Sequence, residues 1–348
     1  MKTINIKHRK IGNGFPAYII AEMSANHAGS LEYAKEIIHA AKESGADCVK
    51  IQTYTADTIT LDCHNKYFNI EDGTWKGENL YSLYKKAGTP WEWQADLKAE
   101  ADKIGIDFFS TPFDKTSVDF LESIGIDFYK IASFELIDIP LIRYVASKGK
   151  PMIISTGMGS MDEIEEAVEA VYKENNNNIA LLRCSSAYPA VPDDMNLLSM
   201  KVMGERFNLP VGLSDHSQGS IGAVTSIVLG GCIVEKHFCL SRSIKTPDSS
   251  FSMEPAEFAS MVKDVRTAEK AIGKVFFGPS QSEMSNYAFR RSIFVSKDVK
   301  AGDIISSENI RIIRPGYGLA PKYYDSLIGK TFSKEAKAGT PLSLDLVK

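Results

Sequence analysis

Residues 48–52 read CVKIQ, a strand-length apolar run interrupted by Lys50 and ending on the polar Gln52. The same form recurs along the chain. Further β-type runs fall at 17–21, 108–111, 128–132, 152–156, 180–184, 211–214 and 233–237. Between them lie segments with apolar residues at i, i+3 and i+4, such as 31–43, 162–172 and 255–271, and this spacing predicts amphipathic helices. Eight such alternations predict an α/β fold of the (β/α)8 TIM-barrel type. An open, doubly wound sheet is the competitor, but no G-x-G-x-x-G follows the first strand.

The alternation stops after Gly273, which assigns residues 1–273 to the barrel domain. Residues 274–290 (KVFFGPSQSEMSNYAFR) read as a linker, with Gly278, Pro279 and a Ser/Gln stretch. From 291 to 348 the chain carries short β-runs and two turns, Ala301-Gly302 and Ala338-Gly339. This predicts a compact domain near the lower size limit for independent folding. The 348 residues suit a barrel of about 250 residues with a small companion.

Composition removes several classes of function. Hydrophobic residues make up 44% and charged residues 24%, the balance of a soluble globular protein. The net charge of -4 lacks the basic bias of a nucleic-acid binder, so no such partner is expected. No apolar stretch is long enough to span a bilayer, so no membrane partner is expected either. Residues 1–10 are polar and basic, without the apolar run of a signal peptide. Cys48, Cys63, Cys184, Cys232 and Cys239 are scattered and form no C-x-x-C pair, against both a disulfide framework and a zinc ribbon. The expected location is a reducing cytoplasm.

Chemistry gathers where the strands end, the face on which barrel enzymes build their sites. The first strand leads into Glu22, Asn26 and His27, and the second carries Lys50 and Gln52. Ser110 and Thr111 end the third; Lys130, Ser133 and Glu135 follow the fourth. The fifth ends at Ser155-Thr156-Gly157, and the sixth runs through Ser185, Ser186 and Tyr188. The last two end in Ser214-Asp215-His216 and Glu235-Lys236-His237.

Lys50 and Lys130 interrupt apolar strands, and a buried ammonium is costly unless an anion meets it. The two lysines with their neighbouring hydroxyls can cradle a phosphate and a carboxylate. The alternatives are a salt-bridge layer neutralised by Glu22 and Glu135, or a Schiff-base lysine. His216 and His237 end neighbouring strands and can share a divalent metal, Mn²⁺ or Mg²⁺ with water in the open positions. The plainer reading is two hydrogen-bonded structural histidines. A long connection runs from Gln52 toward Trp91 and contains Tyr54, Tyr67, Phe68, Trp75, Tyr81 and Tyr84. It reads as a substrate lid or as a packed excursion with its own small core. Arg314, in a rigid Arg-Pro-Gly-Tyr-Gly loop, is either an arm into a binding site or a surface charge.

Taken together these motifs resemble the sialic acid synthase family. They are AEMSANHAGS (21–30), VKIQTY (49–54), STPFD (110–114), YKIAS with Glu135 (129–135), ISTGM (154–158), AYP (187–189), GLSDHS (212–217), EKHF (235–238) and RPGYG (314–318). The resemblance covers essentially the whole chain and implies a C-terminal antifreeze-like (SAF) domain. It implies condensation of phosphoenolpyruvate with an N-acetylated amino sugar, a transferase reaction. By resemblance, Glu22 stands beside a metal-bound water, and Lys50, Thr111, Lys130, Ser133, Ser155 and Ser214 contact phosphoenolpyruvate. His216 and His237 match the metal ligands, with Mn²⁺ expected and Mg²⁺ or Co²⁺ as alternatives. Gln52, Tyr188 and Asp248 match sugar-side positions, Ser186 replaces a sugar-side asparagine, and Glu135 matches an acidic site residue. Arg314 matches an arginine inserted into the partner's site, which implies a domain-swapped homodimer.

Two departures narrow the substrate. Ser185-Ser186 stands where N-acetylneuraminate synthases have Thr-Asn, and the opening motif reads Ser-Ala-Asn-His-Ala-Gly. With the aromatic segment ending TPWEW (89–93), the chain looks more like the pseudaminic acid synthase branch, whose substrate is a 6-deoxy diacetamido sugar. The alternatives are N-acetylneuraminate or legionaminate synthesis. Outside that chemistry stand a Schiff-base aldolase and a non-catalytic sugar-binding protein.

Overall fold

A short antiparallel hairpin, β1 (Ile4–Ile6) and β2 (Arg9–Ile11), opens the computed structural model, which describes residues 3–348. Residues 1 and 2, the start of the stretch read as lacking an export signal, lie outside the described residues. Eight strands follow: β3 (Tyr18–Glu22), β4 (Cys48–Thr53), β5 (Asp107–Pro112), β6 (Tyr129–Ile131), β7 (Met152–Ser155), β8 (Ile179–Cys184), β9 (Val211–Asp215) and β10 (Ile233–His237). All pair in parallel, and β10 returns to β3 to close the barrel. The fold is the expected (β/α)8 barrel. Every expected run is present, with ends shifted by a residue or two.

The hairpin was not anticipated. Ile4, Ile6 and Ile11 join the barrel's hydrophobic core. Arg9 pairs with Asp47, just before β4, and Lys7 Nζ lies 3.1 Å from Asp127, two residues before β6. The hairpin therefore crosses the amino-terminal end of the barrel, opposite the rim that carries the polar strand ends.

Local rules place the helices. Helix Leu31–Glu43 starts at Ser30, whose side chain accepts a hydrogen bond from the Tyr33 amide, and it buries Ala34, Ile37, Ile38 and Ala41. Helix Met161–Lys173 starts in a Ser160–Glu163 capping box and buries Ile164, Ala167, Val168, Ala170 and Val171. The long connection after β4 has structure of its own: helices Ala56–Ile59 and Leu80–Ala87 with a 3-10 turn at Lys66–Phe68.

The chain divides into two compact units, Met1–Gly273 and Lys274–Lys348. In the second, residues Gln281–Phe289 of the stretch read as a linker form a 3-10 run. Two antiparallel strands follow, β11 (Ser292–Val295) and β12 (Ile310–Ile313). They frame a small core of Ile293, Val295, Ile305, Ile310, Leu327, Phe332 and Leu342. Gly302 and Gly339 sit at φ 92° and 87°, as the two Ala-Gly turns require.

Candidate active site

Alternate residues of a strand share a face, so Glu22, Lys50, Ser214 and Glu235 all reach the barrel interior near its carboxyl-terminal end. The register pairs Glu22 with Lys50 and with His237, and Ser214 with Glu235, which lies opposite Ile20, two residues below Glu22. Lys50 Nζ lies 2.9 Å from Glu22 Oε2 and 3.1 Å from Glu235 Oε1, and donates to Thr111 Oγ1 at 3.2 Å. Lys130 Nζ donates to Ser155 Oγ at 2.5 Å and lies 3.8 Å from Glu235 Oε1. Ser214 Oγ donates to the same Glu235 oxygen at 3.4 Å. All of these side chains are buried.

The salt-bridge alternative thus holds in part, with a corrected partner. Glu22 does pair with Lys50, but the second counter-charge is Glu235, not Glu135. The signal was in the sequence, because Glu235 and His237 share the inward parity of β10. Glu135 ends the 3-10 turn Ser133–Glu135, and its Oε2 is buried without a hydrogen-bond partner. Glu235 Oε2 is in the same condition. Buried acceptors of this kind call for a ligand or a proton.

Burial sets the titration of the group. It pushes the Glu22 carboxyl up to about 7, against the pull of Lys50 and with the push of Glu235. It also raises Glu135 to about 7. Glu235 is buried too, but Lys130 and Lys50 hold its carboxyl below the usual range. Burial brings Lys130 down to about 8, while Glu22 and Glu235 outweigh burial at Lys50 and raise its ammonium. With Glu22 ionised the four charges cancel; with Glu22 protonated the cradle carries one net positive charge.

Beside the cradle the rings of His216 and His237 stand 5.4 Å apart. His216 Nδ1 lies 2.9 Å from the Ser185 carbonyl oxygen, which can only accept. That nitrogen therefore carries the proton, and Nε2 keeps its lone pair in the neutral ring. His237 Nδ1 is buried without a hydrogen-bond partner, 4.0 Å from Asp248 Oδ2. Burial and the positive charges around it keep the His237 ring neutral. Against burial, the Cys184 thiol, the Ser185 carbonyl and Glu235 raise the His216 ring above the usual histidine value, so a divalent metal shared by the two rings would displace its second proton. Among the described residues, no three His, Cys, Asp or Glu side chains converge as a fuller ligand set.

The remaining predicted residues fall around this centre. Gln52 Nε2 donates to Glu22 Oε1 at 3.2 Å, and the Tyr188 ring lies 4.2 Å from His216. Asp248 is buried and accepts from the Ala25 amide at 3.3 Å. Ser133 Oγ accepts from the Gly157 amide at 3.1 Å. A Cβ at Gly157 would lie 2.7 Å from Ser133 Oγ and would collide with Ser186 Oγ, so only glycine lets both hydroxyls crowd that strand end. Arg314 belongs to the second unit, where it is exposed just after β12. His27 is structural: it accepts from the Gly29 amide, contacts the Ala87 carbonyl and packs edge-on against Trp93. Phe251 was missed. Its ring lies 5.0 Å from His237, and nothing in the sequence marks it, because it ends a three-residue 3-10 turn too short to show a period.

The reading of the long connection as an excursion with its own packing is met at its base, while its tip lies against the rim. Its base packs as a small core of its own, with Tyr54 against Tyr84 and Phe113. Its tip reaches the rim loops, where the Trp75 indole donates to the Pro247 carbonyl at 3.0 Å.

The closed parallel barrel thus places a buried lysine–carboxylate group beside a histidine pair at one rim. Comparison with known proteins names the family. Residues 37–276 match the NeuB family model and residues 290–348 the SAF domain model. The chain belongs to the NeuB family, and it is an enzyme. It is 45% identical over 325 residues to the pseudaminic acid synthase of Campylobacter jejuni, covering 93% of this chain and 95% of that protein. It is 38% identical over 336 residues to the N,N'-diacetyllegionaminic acid synthase of Legionella pneumophila, covering 95% and 94%. The crystal structure of an N-acetylneuraminic acid synthetase from Leptospira borgpetersenii, in complex with citrate, superposes with a TM-score of 0.73 at 32% identity. That alignment covers 82% of this chain and 95% of the Leptospira chain.

Proposed function

We propose that the enzyme is a pseudaminic acid synthase, condensing phosphoenolpyruvate with 2,4-diacetamido-2,4,6-trideoxy-altrose to give a nonulosonic acid and phosphate. The observation that carries the chemistry is the buried Glu22–Lys50–Glu235–Lys130 group beside the His216–His237 pair. The identity to the Campylobacter enzyme, higher than to the Legionella one, favours the sugar.

Lys50, Lys130, Thr111, Ser133, Ser155 and Ser214 bind the carboxylate and phosphate of phosphoenolpyruvate. Gln52, Ser186, Tyr188 and Asp248 orient the open-chain sugar with its aldehyde toward the histidines. His216 and His237 would hold a divalent metal, Mn²⁺ by preference with Mg²⁺ or Co²⁺ as alternatives, which supplies Lewis-acid polarisation of the aldehyde oxygen. C3 of phosphoenolpyruvate then bonds to the aldehyde carbon, water adds at C2, and the C2–O bond breaks to release phosphate. Glu22, poised near neutrality, takes one proton from that water and returns it to the former aldehyde oxygen, which becomes a hydroxyl, while the proton of the new C2 hydroxyl leaves with phosphate as C2 becomes the keto carbon. Glu135 is the second carboxyl in that range and presents its unpartnered oxygen to the same reaction. The barrel contributes mainly orientation and fixed charge.

The same reading takes residues 1–273 as the catalytic domain, 274–290 as a linker and 291–348 as the SAF domain. It makes the enzyme a domain-swapped homodimer in which Arg314 serves the partner's sugar site. Support comes from Val275 and Phe277, 90% and 93% exposed, since apolar side chains so displayed mark a contact surface. Five free cysteines support a reducing cytoplasm, and no described helix is long and apolar enough to cross a membrane. The deciding experiment is phosphate release with phosphoenolpyruvate, Mn²⁺ and each candidate sugar. Turnover only with the diacetamido trideoxy sugar supports the reading. Preference for a C6-hydroxylated sugar, or activity that survives chelator and is trapped by borohydride, rejects it.

A further inference from the structure

The tip of the segment after β4 crosses the barrel mouth to two other rim loops. Thr74 Oγ1 donates to the Tyr188 carbonyl, in the loop after β8. Trp75 Nε1 donates to the Pro247 carbonyl, in the loop after β10, at 3.0 Å. The indole packs 5.5 Å from the Tyr188 ring and meets Phe251 edge-on at 6.2 Å. Those two rings lie in turn against the histidines: Tyr188 is 4.2 Å from His216, and Phe251 is 5.0 Å from His237. An unbroken aromatic wall thus runs from the tip down to the histidine pair.

Trp75 is the residue that extends this wall outward. Among the described residues, Tyr54 and Tyr84 pack together at the base of the segment, Tyr81 donates to Asp57, and Tyr67 is exposed. Around Trp75 the tip residues Asp72, Gly73, Thr74, Lys76 and Gly77 are exposed, while Trp75 itself is half-buried. The indole nitrogen is spent on Pro247, next to Asp248. What the ring can offer a ligand is an apolar face.

We infer that Trp75 is a specificity-determining residue, whose ring forms the apolar wall of the sugar site and contacts the C–H and methyl groups of a deoxy sugar. This rests on the functional reading above. A methyl group against an indole gains from burial, whereas a hydroxyl there would lose water without gaining a partner. The ring thereby selects a deoxy sugar over one carrying a C6 hydroxyl. It does so from a tip held at the rim by two hydrogen bonds and two ring contacts, so the wall is completed when the tip is seated.

The test compares wild type, Trp75→Phe and Trp75→Ala by phosphate release, using the diacetamido trideoxy sugar and an N-acetylhexosamine that carries a C6 hydroxyl. Trp75→Ala should raise KM for the deoxy sugar about tenfold or more, the scale of one lost aromatic contact, and narrow the preference between the sugars. KM for phosphoenolpyruvate should stay within about twofold, and Trp75→Phe should recover most of the loss. Sugar titration should also change the intrinsic fluorescence of wild type but not of Trp75→Phe, since Trp91 and Trp93 lie on the helix Trp91–Ile104. An unchanged sugar KM and unchanged preference in Trp75→Ala would overturn the inference. So would equal rises in both KM values with a lowered melting temperature, which describe a structural role. If wild type releases phosphate only from another acylated hexose, the functional reading fails, and the same KM comparison on that hexose decides the role of Trp75.

Discussion

Lys236 Nζ lies 2.8 Å from Asp215 Oδ2, and each of these residues immediately precedes one histidine of the rim pair. Both side chains point out of the barrel and are almost fully buried. Lys236 also donates to the Ser217 carbonyl, and Asp215 Oδ1 accepts from the Ser217 amide at 2.9 Å and its hydroxyl at 2.6 Å. The pair ties β9 to β10 from behind, at the level where His216 and His237 face inward. Removing one partner strands the other charge away from water, which typically costs about 3–5 kcal/mol. Lys236→Met should therefore lose stability on that scale in urea unfolding. Asp215→Asn combined with Lys236→Met should lose much less than the two single changes added together. Additive losses would show that the pair is not coupled.

Glu22→Gln separates the carboxylate's chemistry from its place in the cradle. The amide keeps the size of the side chain and its contact with Gln52, but it cannot take a proton from water. Turnover should fall by about 10²- to 10⁴-fold, the range for losing a general base, while phosphoenolpyruvate binding by calorimetry stays close to wild type. Near-normal turnover in this variant removes Glu22 from the proposed mechanism.

Lys130 gives the binding step a pH dependence. Burial holds its ammonium near 8, so above that pH the free enzyme presents a neutral amine to an anionic substrate. Binding the anion favours the charged form, so it must take up a proton there. Affinity for phosphoenolpyruvate should fall by up to about tenfold per pH unit above 8. Calorimetry in two buffers of different ionisation enthalpy should show that uptake at pH 9 and little of it at pH 7. A flat affinity from pH 7 to 9.5 would contradict the assignment.

The architecture was legible because a barrel writes itself into the sequence as a repeating period, and Lys50 and Lys130 stood out against apolar surroundings. Single-residue logic then stopped short. Glu235 has the parity of His237, yet its choice as the shared counter-charge depends on how strands 4, 6 and 10 face one another across the interior. The hairpin Ile4–Ile11 was hidden because each of its strands has only three residues, too few to show a period. Phe251 reaches His237, and Trp75 reaches Phe251 and Tyr188, from short or irregular segments where no periodicity reports direction. The segment after β4 was recognised by its length and aromatic content, but which ring reached the rim required coordinates.

Glu135 offers a stability test independent of the metal pair. Its folded carboxyl is raised to about 7, above the usual value of 4.5. The protonated form is therefore the one the fold prefers, so this contribution is fully present below about 4.5 and is lost as pH rises through 7. Glu135→Gln fixes the neutral form. Its stability relative to wild type should rise between pH 5 and pH 8, measured by denaturant unfolding at each pH without ligands. A difference that does not change with pH would mean that Glu135 titrates as an ordinary surface carboxylate.

Metal dependence follows from the tautomer at His216. The Ser185 carbonyl fixes a proton on Nδ1 and leaves Nε2 as the nitrogen that can offer a lone pair to a metal, with the neutral His237 ring 5.4 Å away. Two imidazoles with water in the other positions make an exchangeable site rather than a structural one. Chelator should therefore abolish turnover without unfolding the protein, and added Mn²⁺ should restore it. His216→Ala and His237→Ala should each lose Mn²⁺ binding by calorimetry while keeping the wild-type circular dichroism spectrum. Retained Mn²⁺ affinity in both variants would place the metal elsewhere, and turnover in the chelated enzyme would remove it from the reaction.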